Sequence, residues 1–121
     1  MATINEVVKY ISSNFDAQED SPGLFRLLWE KAGRSQVVYV SVNDPFVVFA
    51  SAFAPTNKVT ASKALDINDE VFGVKQMGDY WALVHVALLD TIDPLEIDAP
   101  LVLVARAADQ LESKISLADD L

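Results

Sequence analysis

The chain has no cysteine, so it has neither disulfides nor thiolate metal sites, as expected of a protein from a reducing compartment. Its single histidine, His85, leaves catalytic triads and imidazole-based metal sites without their parts. The glycines, at 23, 33, 73 and 78, are scattered among turns and strand ends, and none opens a phosphate-cradling loop. Basic residues are scarce: 9 Lys plus Arg stand against 18 Asp plus Glu, a formal net charge of -9. A surface field of that sign repels phosphate backbones and sets sequence-independent nucleic-acid binding aside. No apolar run approaches the ~18 residues of a membrane span. The opening MATINEVVKYISSNF carries Asn5 and Glu6 where a secretory leader wants Lys or Arg. A soluble, cytoplasmic protein that does not bind membranes is therefore expected.

What the chain does have is a long β-rich stretch, Val71 to Leu89, in which two runs of β-branched and aromatic residues flank Gly78-Asp79. This pattern reads as a hairpin. The 121 residues are most simply one domain, with residues 116–121 as a frayed tail. Thr3 and Glu6 have capping-box spacing, and Ile4, Val8, Ile11 and Phe15 recur on one helical face, predicting a helix over 4–15. Asp16 to Gly23 reads as a loop. Leu24 to Glu30 alternates Phe25, Leu27 and Trp29 with Arg26, Leu28 and Glu30, which favours a strand over a short helix. Strands follow at Gln36 to Val42 and, after the Asn43-Asp44-Pro45 turn, at Phe46 to Phe53. The small residues Ala50, Ser51 and Ala52 leave room for something, a helix by preference, to pack closely on that sheet.

Thr60 is placed to cap a short helix over 61–69. After the hairpin, Asp93 and Glu96 form a second capping box. Because Pro100 is tolerated only near a helix start, the reading is one short turn at Pro94 to Ile97, then a long helix capped by Asp98. Leu101, Val104, Ala108, Leu111 and Ile115 form its stripe. The order α-β-β-β-α-β-β-α defines an α+β plan with a five-stranded antiparallel sheet packed with helices. The last strand is bulky on both sides, Tyr80, Val84, Val86 and Leu88 against Trp81, Leu83 and Leu89, so its second face calls for cover from another subunit.

The segment ALDINDEVFGVKQMGDYWALVHVALL, followed by a long helix ending AADQLESKI, resembles the YbjN-type family of bacterial sensory-transduction regulators, which has the fold of type III secretion chaperones. The resemblance runs from about Leu24 to Ile115. Its most specific marks are Asn68, Phe72-Gly73, Gly78-Asp79 and the run Ala107 to Glu112. It implies a compact, often dimeric protein that holds another protein or protein segment and has no active site.

The residues themselves offer little chemistry. His85 sits mid-strand between Leu83 and Ala87 and reads as structural. Asp66, Asp69 and Glu70 cluster on the short helix without the spacing of a calcium loop. No catalytic, cofactor-binding or metal-ligating residue is assigned, and no cofactor is expected. Large aromatics are enriched among interface anchors, which selects Trp29, Tyr39 and Tyr80 as protein-binding candidates. Tyr80 and its neighbour Trp81 must point to opposite faces. The leading expectation is a non-enzymatic homodimer or partner-binding module. The alternative is a small acidic antitoxin or immunity-type inhibitor, because the segment from Asp90 to Leu121 is rich in carboxylates. A third reading, a ligand sensor, requires a pocket between sheet and helix lined by Phe49 and Ala50.

Overall fold

The N-terminal helix begins where its capping residue dictates. In the computed structural model, which describes residues 3–31, 33–66 and 72–119, α1 spans Ile4–Asn14 and the Glu6 N–H donates to Thr3 Oγ1 at 3.2 Å. Its buried face is Val7 and Ile11, with Val8 and Phe15 half-buried and Ile4 exposed. The helix is thus rolled slightly from the expected Ile4/Val8/Ile11/Phe15 stripe. The Tyr10 hydroxyl donates to Asp98 Oδ1 at 2.8 Å, a contact with the last helix that bears on this orientation.

Six strands, β1 (Ala17–Ser21), β2 (Leu24–Lys31), β3 (Arg34–Val42), β4 (Phe46–Pro55), β5 (Gly73–Met77) and β6 (Tyr80–Leu88), form one antiparallel sheet in the order β1-β2-β3-β4-β6-β5. The α+β plan holds, but the sheet has six strands where five were expected. The additional strand lies in the stretch read as a loop. AQEDS has little strand propensity of its own, yet the Pro22-Gly23 turn folds it back on β2, pairing Ala17 with Leu27 and Gln18 with Arg26. Gly23 makes that turn possible: its φ is +79, and an added Cβ would meet the Val42 carbonyl oxygen at 2.8 Å. The Gly78-Asp79 hairpin forms as predicted, with Gly78 at φ +59 and Met77 paired to Tyr80.

The last helix, α3, runs unbroken over Pro94–Asp119, with the Glu96 N–H donating to Asp93 Oδ1 at 2.9 Å. This corrects the expected break before Asp98. Pro100 lies inside the helix, and Asp98 is not its cap. The burial of Ile97 and Leu101, on either side of Pro100, together with Val104, Ala105 and Ala108, holds the helix to the sheet across the proline. The helix runs as far as Asp119, and the last two residues of the expected frayed tail lie outside the described residues. The short α2 (Ala61–Asp66) starts at Thr60, whose Oγ1 accepts from the Lys63 N–H at 3.2 Å; Ala64 is buried and Leu65 is exposed. The rest of the expected second helix, with Asn68, Asp69 and Glu70, lies outside the described residues.

The core fills one side of the sheet. Phe25, Leu27, Val38, Val40, Val47, Phe49, Leu83 and Trp81 meet residues of α1 and α3 and, near α2, Val59 and Ala64. The Trp81 indole Nε1–H donates to the Val59 carbonyl at 2.8 Å, which satisfies the polar edge of a buried ring.

Candidate protein-docking face

Strand alternation and register decide what the opposite face carries. Cross-strand pairs on that face include Phe46 with Leu88, Val48 with Val86, Tyr39 with Ala50, Ala50 with Val84, and Leu28 with Val37. The described helices pack on the other side, against β3, β4 and β6. The large outward side chains are consequently open to solvent: Phe46 is 47% exposed, Tyr80 50%, Val86 51% and Leu88 54%. Between them lies a floor of small residues, and Ala50 and Ala82 are buried there beneath bulkier neighbours.

The sheet is split on this face. The β3–β4 ladder pairs Tyr39–Val42 with Val47–Ala50 and goes no further, whereas β4 stays paired with β6 as far as Pro55, with a register shift between Ala52 and Ala54. Side chains span the gap: Ser51 Oγ donates to the Val37 carbonyl at 2.7 Å, and Gln36 Nε2 donates to the Ala52 carbonyl. Gln36 is only 6% exposed, and its Oε1 has no hydrogen-bond partner among the described residues. Over the split opens a cleft of about 620 Å³, with Ala52 at its floor, Val37 and Tyr39 on one wall, Met77 and Tyr80 on the other, and Glu112 of α3 at its end. A smaller cavity of about 270 Å³ adjoins it and shares Ala52, Tyr80 and Glu112.

Of the three aromatic candidates, the fold brings two together. Tyr39 and Tyr80 line the same cleft. Trp29 does not join them; it lies on the helix-facing side, half-buried against the core. Tyr80 and Trp81 do point to opposite faces, one exposed and one buried. His85 also faces the core, with its ring centroid 6.0 Å from those of both Phe49 and Phe72. The expected pocket between sheet and helix cannot be lined by both Phe49 and Ala50, because these adjacent residues lie on opposite faces of β4 and Phe49 is fully buried. Reading the sequence singled out Ala52 as a small residue that leaves room on the sheet, but missed Gln36 and Glu112. For Gln36 there was a signal: it shares its strand face with Val38, Val40 and Val42, so a polar residue stands at an inward position.

Of the carboxylates in the C-terminal segment, several are engaged within the chain. Asp93 caps α3, Asp98 accepts from Tyr10, and Asp109 pairs with Arg34 at 3.0 Å. The hydrogen bond to Asp98 holds the Tyr10 hydroxyl above its ordinary pKa of 10.0, with burial and the negative charge of Asp98 acting in the same direction. Among the described residues no group of three or more His, Asp or Glu is placed to hold a metal ion, and no helix is long and apolar enough to cross a membrane. A scan of protein-family models finds no match to this chain, and a search of curated proteins finds none either.

Proposed function

We propose that this chain is a non-enzymatic, cytoplasmic protein-binding module that holds a partner polypeptide, or a second copy of itself, on the outer face of its sheet. One observation carries the reading: Phe46, Tyr80, Val86 and Leu88 share a sheet face that none of the described helices covers. Taking about 200 Å² for a fully exposed large side chain, these four with Leu28 and Val37 offer about 600 Å² of apolar surface. Summed over the face, that approaches the ~800 Å² per partner of a standard interface. The element order gives further support. Leaving out the edge strand β1, the chain reads α-β-β-β-α-β-β-α, the order that the resemblance to YbjN-type proteins and secretion chaperones implies.

The acidic-inhibitor reading is weaker, because Asp93, Asp98 and Asp109 are occupied inside the fold and do not form a free carboxylate surface. The test of the leading reading is sedimentation velocity over a range of concentrations, combined with cross-linking in native extract, for the wild type and for Val86→Asp/Leu88→Asp. The expected result is a self-associated or partner-bound wild type and a monomeric, unbound variant with unchanged thermal unfolding. A wild type that stays monomeric and cross-links to no polypeptide overturns the proposal.

A further inference from the structure

We infer that the cleft over the split between β3 and β4 takes an amphipathic helix with lysine or arginine flanking its apolar face, supplied by another protein. The inference rests on the docking face proposed above and names its occupant.

Backbone hydrogen bonding selects a helix. The cleft opens where β3 and β4 part, and the two carbonyls seen to turn into the gap are occupied. The strands beneath it are paired outward, β3 with β2 and β4 with β6, and the inward carbonyls of Val37 and Ala52 are already taken by Ser51 and Gln36. An extended segment laid here would bury its own N–H and C=O groups without partners, whereas a helix satisfies them internally and needs only side-chain contact. The floor suits such a guest. Ala52 leaves depth between the Tyr39 and Tyr80 walls, as close approach of a helix to a sheet requires.

Charge then selects the flanks. Glu112 stands at the end of the cleft, Glu30 on the outer face of β2 beyond Leu28, and Asp79 at the hairpin tip beside Tyr80; all three are exposed. Against them stand Lys75 and Arg26 on this face, with Arg26 paired to Asp20 at 3.4 Å, and, on the α3 side near Glu112, Lys114 and Arg34, with Arg34 paired to Asp109 at 3.0 Å. Lys58, in the smaller adjoining cavity, already has a partner within the chain. With a net charge of -9, a second copy would bring this same acidic rim against itself, while a basic helix meets complementary charge.

The test uses the full chain and a synthetic amphipathic peptide of leucine and lysine, with two controls. One is the same composition scrambled so that no apolar face forms; the other carries glutamate for lysine. Fluorescence anisotropy of labelled peptide is expected to show saturable one-to-one binding, weakened about tenfold by Ala52→Leu, which fills the floor, and about threefold by Glu112→Gln. Circular dichroism melts of both variants show whether they fold. Equal affinity for the scrambled or glutamate peptide, or none of the expected loss in a folded Ala52→Leu protein, overturns the basic-helix inference and leaves the docking face standing. A wild-type dimer dissociated by Ala52→Leu makes the second copy the occupant and also overturns it. If no peptide binds and the protein is monomeric and partnerless, the docking face falls with it.

Discussion

At the scale of single residues, the fold relies on a few positions where one atom decides the outcome. Gly23→Ala is expected to destabilise the chain by roughly 2 kcal/mol or more, since it adds left-handed strain to a Cβ placed 2.8 Å from the Val42 carbonyl. Gly78→Ala, with positive φ but open space around it, should cost only about 1 kcal/mol. Urea denaturation of the two variants separates clash from backbone strain. Tyr10 makes a pH prediction. Its pKa is raised in the folded state, so the stability it contributes is fully present below the ordinary value of 10.0 and is lost as pH rises through the folded value. Tyr10→Phe should therefore flatten the alkaline limb of a stability-against-pH curve, and an unchanged limb would show that the Asp98 bond contributes nothing there. These residues also show what a sequence can disclose. Trp81 against Tyr80 was legible, because alternation forces adjacent aromatics apart. The Gly23 clash was not, because its partner is the carbonyl of Val42, which only the folded sheet brings within reach.

At the scale of elements, local signals succeeded where they agreed with the packing and failed where packing overrode them. Helix caps at Thr3, Thr60 and Asp93 were readable, since each lies three residues from the N–H it accepts. Strand β1 was not. Its polar sequence forms a ladder only because β2 offers an edge, and charge on such an edge strand discourages further pairing. Pro100 misled in the other direction, for its ring marks a helix start in isolation, yet apolar anchoring on both sides carries α3 through it. Replacing it restores a donor toward the Glu96 carbonyl, so Pro100→Ala should stabilise the protein by about 1–3 kcal/mol, read as a rise in the urea midpoint. The split between β3 and β4 escaped notice for a related reason: FVVFASAF reads as one regular strand, and only the end of its β3 ladder at Ala50, while its β6 ladder runs on to Pro55, opens the cleft.

At the scale of the whole molecule, the two faces of one sheet divide folding from association. Val47 and Val86 illustrate the division, because they lie on adjacent paired strands and share a similar hydrophobicity, yet Val47 is fully buried and Val86 is half exposed. Truncating Val47 to Ala removes buried methyl groups and leaves a cavity, at a cost of about 2 kcal/mol. Val86→Ser changes a side chain that already touches water, so its effect on unfolding should stay within about 0.5 kcal/mol. If the outer face binds protein, the order reverses for association: Val86→Ser should weaken it several-fold, while Val47→Ala should leave it unchanged at temperatures where the variant remains folded. Measuring both variants by thermal unfolding and by light scattering gives a crossed pattern that neither a generally fragile fold nor a merely sticky surface reproduces. An outer face that mattered only to the chain's own stability would instead make Val86→Ser costly in unfolding and silent in association.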